Sequence, residues 1–156
     1  MQKIVPSLWF DGNAEEAIDF YCSIFKDSGK GEEMRAGDGA PFPKGTLISA
    51  TFRLFGQEFM VINGGPQFKF TPAVSFFVHC GSQAEADEYW DKLLDGGEAE
   101  MCGWLRDKFG LSWQIIPDRL MELLNDPDPA RAQRAMNAML QMVKIDVNAL
   151  EEAAKG

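Results

Sequence analysis

The sequence predicts an α+β fold in which two tandem βαβββ modules form a curved mixed sheet around a cleft, followed by a helical tail. Two internal matches predict it: segment 13–21 returns as 82–90, and segment 55–62 returns as 109–116. The chain has 156 residues, of which 46% are apolar, enough for a packed globular core. An internal duplication places corresponding faces of both modules around a shared site, so a ligand is expected between them.

The first module spans 1–66 and begins with a strand over 4–10. Asn13 and Glu16 have the spacing of a capping box, which predicts that a helix starts there. Its apolar face recurs at helical intervals: Ala17, Phe20, Tyr21, Ile24 and Phe25. The rest of the module is predicted to be a short strand, a mobile loop and a hairpin around Gly56: 32–36, 37–44, and 46–55 with 57–63.

The second module spans 67–117 and repeats this order, beginning with a strand over 73–80. Ser82 and Glu85 form another capping box. The apolar positions of this helix follow those of the first by 69 residues: Ala86, Tyr89, Trp90, Leu93 and Leu94. Three short strands are then expected, over 99–103, 104–107 and 112–116.

The tail, 118–156, is predicted to be helical. A stiff Asp-Pro-Asp-Pro corner precedes a helix that has Asp128 as N-cap and runs to about Met142, and Asp146 caps a further helix. One apolar stripe is expected to pack on the sheet or on a partner subunit, because methionine fills irregular gaps: Ala132, Met136, Met139, Leu140 and Val143.

Charge and cysteine content exclude several classes of function. The net charge of −9 works against binding to nucleic acid or to anionic membranes. The cysteines Cys22, Cys80 and Cys102 lie far apart, so neither a disulfide framework nor a zinc knuckle is indicated. Neither a secretory leader nor an apolar run of about 18 residues is apparent, which predicts a cytoplasmic protein.

Four segments carry a resemblance to a known family: 8–17 (LWFDGNAEEA), 63–70 (NGGPQFKF), 102–110 (CGWLRDKFG) and 112–115 (SWQI). They resemble the vicinal oxygen chelate superfamily, also called glyoxalase/bleomycin-resistance/dioxygenase proteins. Within it they are similar to the PhnB-like subgroup, labelled 3-demethylubiquinone-9 3-methyltransferase domain. The resemblance extends over nearly the whole chain, including the Asp-Pro-Asp-Pro corner, and implies a glyoxalase-like fold.

The superfamily typically holds a divalent metal through two His and two Glu on strands of both modules. By position in the repeat, the resemblance places these ligands at Val5, Met60, Ala73 and Gln114. Only Gln114 could offer even a weak oxygen ligand. No cofactor is therefore predicted, and a divalent metal stays an alternative that these residues do not support.

The methyltransferase label is not supported by the residues. Enzymes of the usual doubly wound fold that use S-adenosylmethionine carry a Gly-rich turn between the first strand and a helix. Gly64 and Gly65 instead follow a hairpin strand and precede Pro66, so they are interpreted as a link between the modules.

The predicted cleft is lined by apolar and aromatic side chains with a few amides and hydroxyls, which suits a small, ring-bearing organic ligand. The candidate ligand-binding residues are Ser7, Trp9, Met60, Asn63, Ser75, Phe77, His79, Trp104 and Gln114. For each of them, packing in the core or in a dimer is the alternative. His79 is either an exposed surface group or a general base or ligand, and Cys102 is either an inert thiol or a nucleophile.

Two functions stay open at this point. The first, slightly favoured, is a small-molecule-binding protein that lacks the usual metal quartet. The second is a lyase, isomerase or dioxygenase acting on a small metabolite, with or without a metal; its catalytic residues cannot be assigned. A homodimer is expected, because paired modules of this kind expose sheet edges and the tail adds an apolar stripe.

Overall fold

The computed structural model describes residues 2–156 and confirms the α+β fold with its helical tail. The chain divides into two compact units, Met1–Phe70 (unit 1) and Thr71–Gly156 (unit 2). Each unit contains one four-stranded sheet, so the strands of the expected sheet form two separate hydrogen-bonded sheets. Along the chain, the four strands of each sheet and the associated helix follow the predicted order: one strand, one helix and three further strands.

Unit 1 has its strands in the spatial order β1-β4-β3-β2, with β1 parallel to β4 and the other pairs antiparallel. Its elements are β1 (Ser7–Phe10), α1 (Ala14–Ile24), β2 (Gly29–Arg35), β3 (Leu47–Leu54) and β4 (Gln57–Asn63). Side chains alternate between the two faces of the sheet. One face packs on α1, as the stacked rings of Tyr21 and Phe52 show, and the other is only partly covered.

The predicted hairpin around Gly56 is confirmed. Phe55 and Gly56 connect β3 to β4 with φ values of 50° and 75°. Positive φ at both central residues is typical of the two-residue turn that matches the twist of paired strands. The turn therefore fixes the register between β3 and β4.

Unit 2 repeats this arrangement in the spatial order β5-β8-β7-β6, with β5 parallel to β8. Its sheet and its first helix comprise β5 (Ser75–Cys80), α2 (Gln83–Leu94), β6 (Glu98–Ala99), β7 (Trp104–Arg106) and β8 (Ser112–Pro117). The side chains on the α2 face are almost all buried: Val78, Cys80, Leu105, Trp113 and Ile115.

Three helices follow β8: α3 (Asp118–Leu124), α4 (Pro129–Met139) and α5 (Val147–Lys155). The predicted caps are confirmed, because Asp128 accepts a hydrogen bond from the Ala130 amide and Asp146 accepts one from the Ala149 amide. These helices share a buried cluster with the end of β8: Ile116, Leu120, Leu123, Ala135, Ile145, Leu150 and Ala154. Within residues 2–156, none of the helices has the length and apolar content needed to cross a bilayer.

The predicted apolar stripe of the tail is only partly packed within the chain. Ala135 is the buried residue of α4, and Ala138, Met139 and Met142 pack against the cluster. Leu140 and Val143, which were expected in the stripe, are 50% and 45% exposed. The reason is that α4 ends at Met139, so helical spacing no longer decides which residues beyond it face the core.

The start of α1 also differs from the prediction. The side chain of Asn13 makes no capping bond, since its ψ of 21° departs from the extended conformation usual for an N-cap. The Ala14 amide instead donates to Oδ1 of Asn63, 3.0 Å away at the end of β4. In unit 2, Ser82 is extended and accepts from the Glu85 amide at 3.1 Å, as predicted.

Candidate functional site

The open face of unit 2, opposite α2, carries three of the predicted ligand-binding residues in one row. The ladder pairs Phe77 on β5 with Gln114 on β8, and Gln114 with Trp104 on β7. Neighbouring strands lie about 4.8 Å apart, so these side chains are direct neighbours. Phe77 is 39% exposed, and Gln114 and Trp104 are half-buried. This central row therefore places one amide between two aromatic side chains.

A second row on the same face carries hydroxyl groups. Ser75 lies opposite Ser112, and Nε2 of Gln114 donates to Oγ of Ser75 at 2.9 Å. The Ser112 hydroxyl is buried and has no hydrogen-bond partner within residues 2–156. Arg106, also opposite Ser112, forms ion pairs with Glu98 and Glu100. The second row is thus polar, and the positive charge of Arg106 is paired with two carboxylates.

His79 lies beyond the central row, near the end of β5. Its side chain is 73% exposed, and its ring centroid is 4.8 Å from that of Phe77. Nδ1 is 3.3 Å from Oδ1 of Asp118, the first residue of α3. The sequence analysis did not single out Asp118, although it directly follows β8, the strand paired with β5. A carboxylate in this position orients the ring and leaves Nε2 directed away from the pair.

The open face of unit 1 is more apolar. The ladder places Ser7 opposite Met60 and Trp9 opposite Ile62. The indole N–H of Trp9 donates to the carbonyl of Gly65 at 2.9 Å, and its ring lies against Gly64, where an added Cβ would be 2.2 Å from the ring. The indole N–H of Trp9 is therefore already bonded within unit 1, so Trp9 could contact a ligand only through its ring.

Asn63 lies on the face of the unit 1 sheet that packs on α1, because it pairs with the buried Phe10. Besides capping α1, its Nδ2 donates to the Leu47 carbonyl at 3.0 Å. Its amide therefore ties β3 and β4 to the helix, while Ser7, Trp9 and Met60 lie on the other face. Asn63 also borders an open cavity of about 260 Å³ that the sequence analysis missed, lined in addition by Asp11, Gly12, Glu15, Phe42, Thr46, Leu47, Ile48 and Gly65.

The strand register corrects the expected equivalence of metal positions. Ser7 faces Met60 and Phe77 faces Gln114, so the first strands of the two units correspond with an offset of 77 − 7 = 70 residues. The counterpart of Val5 is therefore Ser75; Ala73 precedes β5 and is exposed. The expected pair of Val5 and Ala73 is 68 residues apart, which equals neither this offset nor the 69 residues that separate the two helices.

The residues at these positions do not fit the superfamily's metal. Ser75 and Gln114 offer a hydroxyl and an amide that are hydrogen-bonded to each other, and Val5 and Met60 offer no oxygen. Divalent metals in such sites are held by imidazole and carboxylate groups. Within residues 2–156, no three or more His, Cys, Asp or Glu side chains are grouped so that they could hold a metal ion.

The three cysteines are free thiols. Burial raises the pKa of the Cys80 thiol to about 12 and also raises the pKa of Cys22. Cys102 is half-buried and has a φ of 61°, in the left-handed region. It lies two residues before Trp104, the residue that β7 contributes to the central row.

A buried carboxylate that the sequence analysis did not identify anchors the turn between β7 and β8. Asp107 is 3% exposed and accepts hydrogen bonds from the amides of Phe109 and Leu111 and from the indole N–H of Trp113, at 2.8, 3.1 and 2.9 Å. These three bonds fix the turn and the side chain at the start of β8. Asp107 therefore supports the strand that carries Gln114.

The profile of the 3-demethylubiquinone-9 3-methyltransferase family matches residues 2–116. The expected extension of the resemblance to the Asp-Pro-Asp-Pro corner thus lies outside the matched region. No protein of curated function matches the chain.

One solved structure agrees with this match, and two structures less than 25% identical show the fold alone. A PhnB protein from Bacillus cereus, provisionally described as a 3-demethylubiquinone-9 3-methyltransferase, is 41% identical with a TM-score of 0.69; the alignment covers 74% of this chain and 99% of that one. Protein PA1353 from Pseudomonas aeruginosa is 24% identical with a TM-score of 0.59, covering 75% and 98%. The fosfomycin resistance protein FosX from Listeria monocytogenes, solved with Mn(II) and sulfate, is 16% identical with a TM-score of 0.52, covering 72% and 90%, and shows the fold alone.

Proposed function

This chain belongs to the 3-demethylubiquinone-9 3-methyltransferase (PhnB-like) family of the vicinal oxygen chelate superfamily, and from that premise we propose that it binds a small, neutral aromatic molecule without a metal. The observation that carries the proposal is the central row, in which Gln114 lies between Phe77 and Trp104. Methyl transfer, which the family name describes, is not part of the proposal.

The chemistry of the central row supports an aromatic ligand bearing an oxygen. Ring faces and edges of Phe77 and Trp104 provide apolar contact for a flat molecule. Gln114 uses one N–H on Ser75, which leaves its second N–H to donate to a carbonyl or phenolic oxygen. A few placed polar groups among apolar ones are typical of sites for small organic molecules.

Charge supports a neutral ligand. Arg106 is the basic residue of the adjacent row, and its guanidinium is already paired with Glu98 and Glu100. An anionic ligand would therefore lose its hydration without gaining a free cation, in a chain whose net charge is −9.

Isothermal titration with three compounds tests the proposal. Duroquinone and 4-hydroxyacetophenone are neutral rings with carbonyl oxygens, and the fully methylated ring of duroquinone does not alkylate cysteine; benzoate is the anionic comparison. We expect the two neutral compounds to bind more tightly than benzoate, and expect Gln114→Ala to weaken them. Benzoate binding as tightly as the neutral compounds, or no loss on Gln114→Ala, would contradict the proposal.

We propose in addition that the protein is a cytoplasmic homodimer. Leu140 and Val143 support a dimer, because they are large apolar side chains that are 50% and 45% exposed instead of packed in the core. A stable interface buries about 1,200 Å² or more. Light scattering after size exclusion should give twice the chain mass of 17.4 kDa, and a single species at the chain mass would refute the dimer.

A further inference from the structure

We infer that the C-terminal tail is part of the ligand site, because it holds the backbone that orients Trp104 in the central row. The inference rests on the function proposed above and adds a positioning element to it. The residues that connect the tail to this site are the return segment 142–147, between α4 and α5, and the pair Cys102 and Gly103 before β7.

Two backbone hydrogen bonds make this connection. The amide of Cys102 donates to the Met142 carbonyl, and the amide of Gly103 donates to the Val143 carbonyl, each at 2.8 Å. Both donors come from the two residues directly before Trp104. Without the return segment, both amides would need new partners, and the direction of the chain entering β7 would no longer be fixed.

The backbone at this point has a conformation that needs external support. Cys102 and Gly103 have φ values of 61° and 83°, so two successive residues lie in the left-handed region. A residue with a Cβ, such as Cys102, occupies that region when its surroundings impose it. The Trp104 amide closes this turn by donating to the Met101 carbonyl at 3.1 Å, and β8 holds the Gly103 carbonyl through the Ile115 amide at 2.8 Å. The amides of Cys102 and Gly103 themselves are bound by the tail, which therefore supports the bend that precedes Trp104.

Close packing adds to the hydrogen bonds. A Cβ added to Gly103 would lie 2.9 Å from Cδ1 of Ile116 and 2.9 Å from Cγ1 of Ile145. Ile116 belongs to the strand that carries Gln114, and Ile145 belongs to the return segment. Gly103 is therefore enclosed between the sheet and the tail, and a change in the tail is transmitted to Trp104 through it.

The side chain of Gln83, at the start of α2, binds the return segment through two hydrogen bonds. Nε2 of Gln83 donates to the Ile145 carbonyl at 3.0 Å, and Oε1 accepts from the Val147 amide at 2.8 Å. Lys144 adds an ion pair with Asp87 at 3.0 Å. Gln83 is thus a positioning residue, which acts on Trp104 through the tail.

The test is ¹⁹F NMR of the full chain labelled with 5-fluorotryptophan. The chain has four tryptophans, and Trp104→Phe assigns the resonance of interest. Gln83→Ala should shift or broaden the Trp104 resonance in the absence of any ligand and leave those of Trp90 and Trp113 in place. Gln133→Ala is the matched control, because Gln133 is an exposed tail residue whose side chain donates to Oδ1 of Asn137 in the same helix.

Titration of the same samples with duroquinone separates this inference from the proposed function. If Gln83→Ala reduces the population with Trp104 in place to about a third, the affinity should fall about threefold. An unchanged Trp104 resonance, or one that moves together with Trp90 and Trp113 as in general destabilisation, overturns the inference. A selective Trp104 response in a protein that does not bind duroquinone upholds the positioning by the tail and counts against the proposed function.

Discussion

Units 1 and 2 share one order of strands and helix. They differ in the residue that caps the helix, in the contacts of the last hairpin and in the side chains of the open face. In unit 1, α1 is capped by Asn63 from the end of β4; in unit 2, the corresponding position is Pro117, and α2 is capped by its own Ser82. The comparison shows that the repeated scaffold tolerates different local solutions. The open faces of the two sheets also differ in their side chains.

The open faces differ in polarity at corresponding positions. Met60 of unit 1 corresponds to Gln114 of unit 2, and Ser7 corresponds to Phe77. Unit 2 alone carries the three-helix tail after its last strand. The Gln114 amide and the tail both belong to unit 2. The proposed ligand site is therefore assigned to that unit.

The largest effect is expected at the hairpin of unit 2. Asp107→Ala removes three buried hydrogen bonds, from the amides of Phe109 and Leu111 and the indole N–H of Trp113, which should cost about 3 kcal/mol or more of unfolding free energy. Urea unfolding followed by fluorescence measures it. Asp107→Asn keeps one oxygen and should cost less; equal losses would show that the negative charge, not the acceptor geometry, is what matters.

The next effect concerns Trp9 in unit 1. Gly64→Ala places a Cβ about where the indole ring lies, so Trp9 must move and lose its bond to Gly65, at a cost of about 1–3 kcal/mol. The emission of Trp9 should change, as read against a Trp9→Phe background. Gly37→Ala, at a position where an added Cβ meets no atom within 4 Å, serves as the control. Equal stability of both variants would refute the close contact.

Helix capping gives a smaller and directly comparable effect. Asn63→Ala should destabilise α1, and Ser82→Ala should destabilise α2, by about 1 kcal/mol each. Asn13→Ala should change stability little, since its side chain makes no capping bond. Amide hydrogen exchange of each helix checks this. Faster exchange in α1 on Asn13→Ala than on Asn63→Ala would contradict the structure.

Divalent metals are expected to have almost no effect. The oxygen donors at the superfamily's metal positions are one amide and one hydroxyl bonded to each other, so Mg²⁺, Mn²⁺, Ni²⁺ and Zn²⁺ should not raise the midpoint of thermal unfolding. Elemental analysis of the purified protein accompanies the titration. A stoichiometric metal whose affinity drops on Gln114→Ala would favour the enzyme over the binding protein.

Local signals in the sequence predicted most of the fold. The caps Ser82, Asp128 and Asp146 act on amides two or three residues away, and the hairpin turn at Gly56 is equally local. The cap of α1 escaped prediction because Asn63 reaches it from 49 residues away in the chain.

The candidate site was predicted in part. Alternation along the strands placed Phe77, Gln114 and Ser75 on one face, and the ladder brings the first two beside Trp104. The equivalence of Val5 with Ala73 was wrong because the first strands are offset by 70 residues, as their pairing with β4 and β8 shows, whereas these two residues are 68 apart. Neither the register of these strands nor the contact between Gly103 and the tail can be predicted from neighbouring residues in the sequence. Both depend on segments that meet only in the folded chain.

The central claim is that unit 2, through Gln114, recognises the oxygen of a neutral aromatic ligand. Isothermal titration of duroquinone into Gln114→Ala and into Met60→Ala, its counterpart in unit 1, tests this most directly. Loss of the hydrogen bond should weaken binding by about three- to tenfold in Gln114→Ala, and Met60→Ala should lose less than that. Equal losses in the two variants, or a greater loss in Met60→Ala, would contradict the assignment of the site to unit 2.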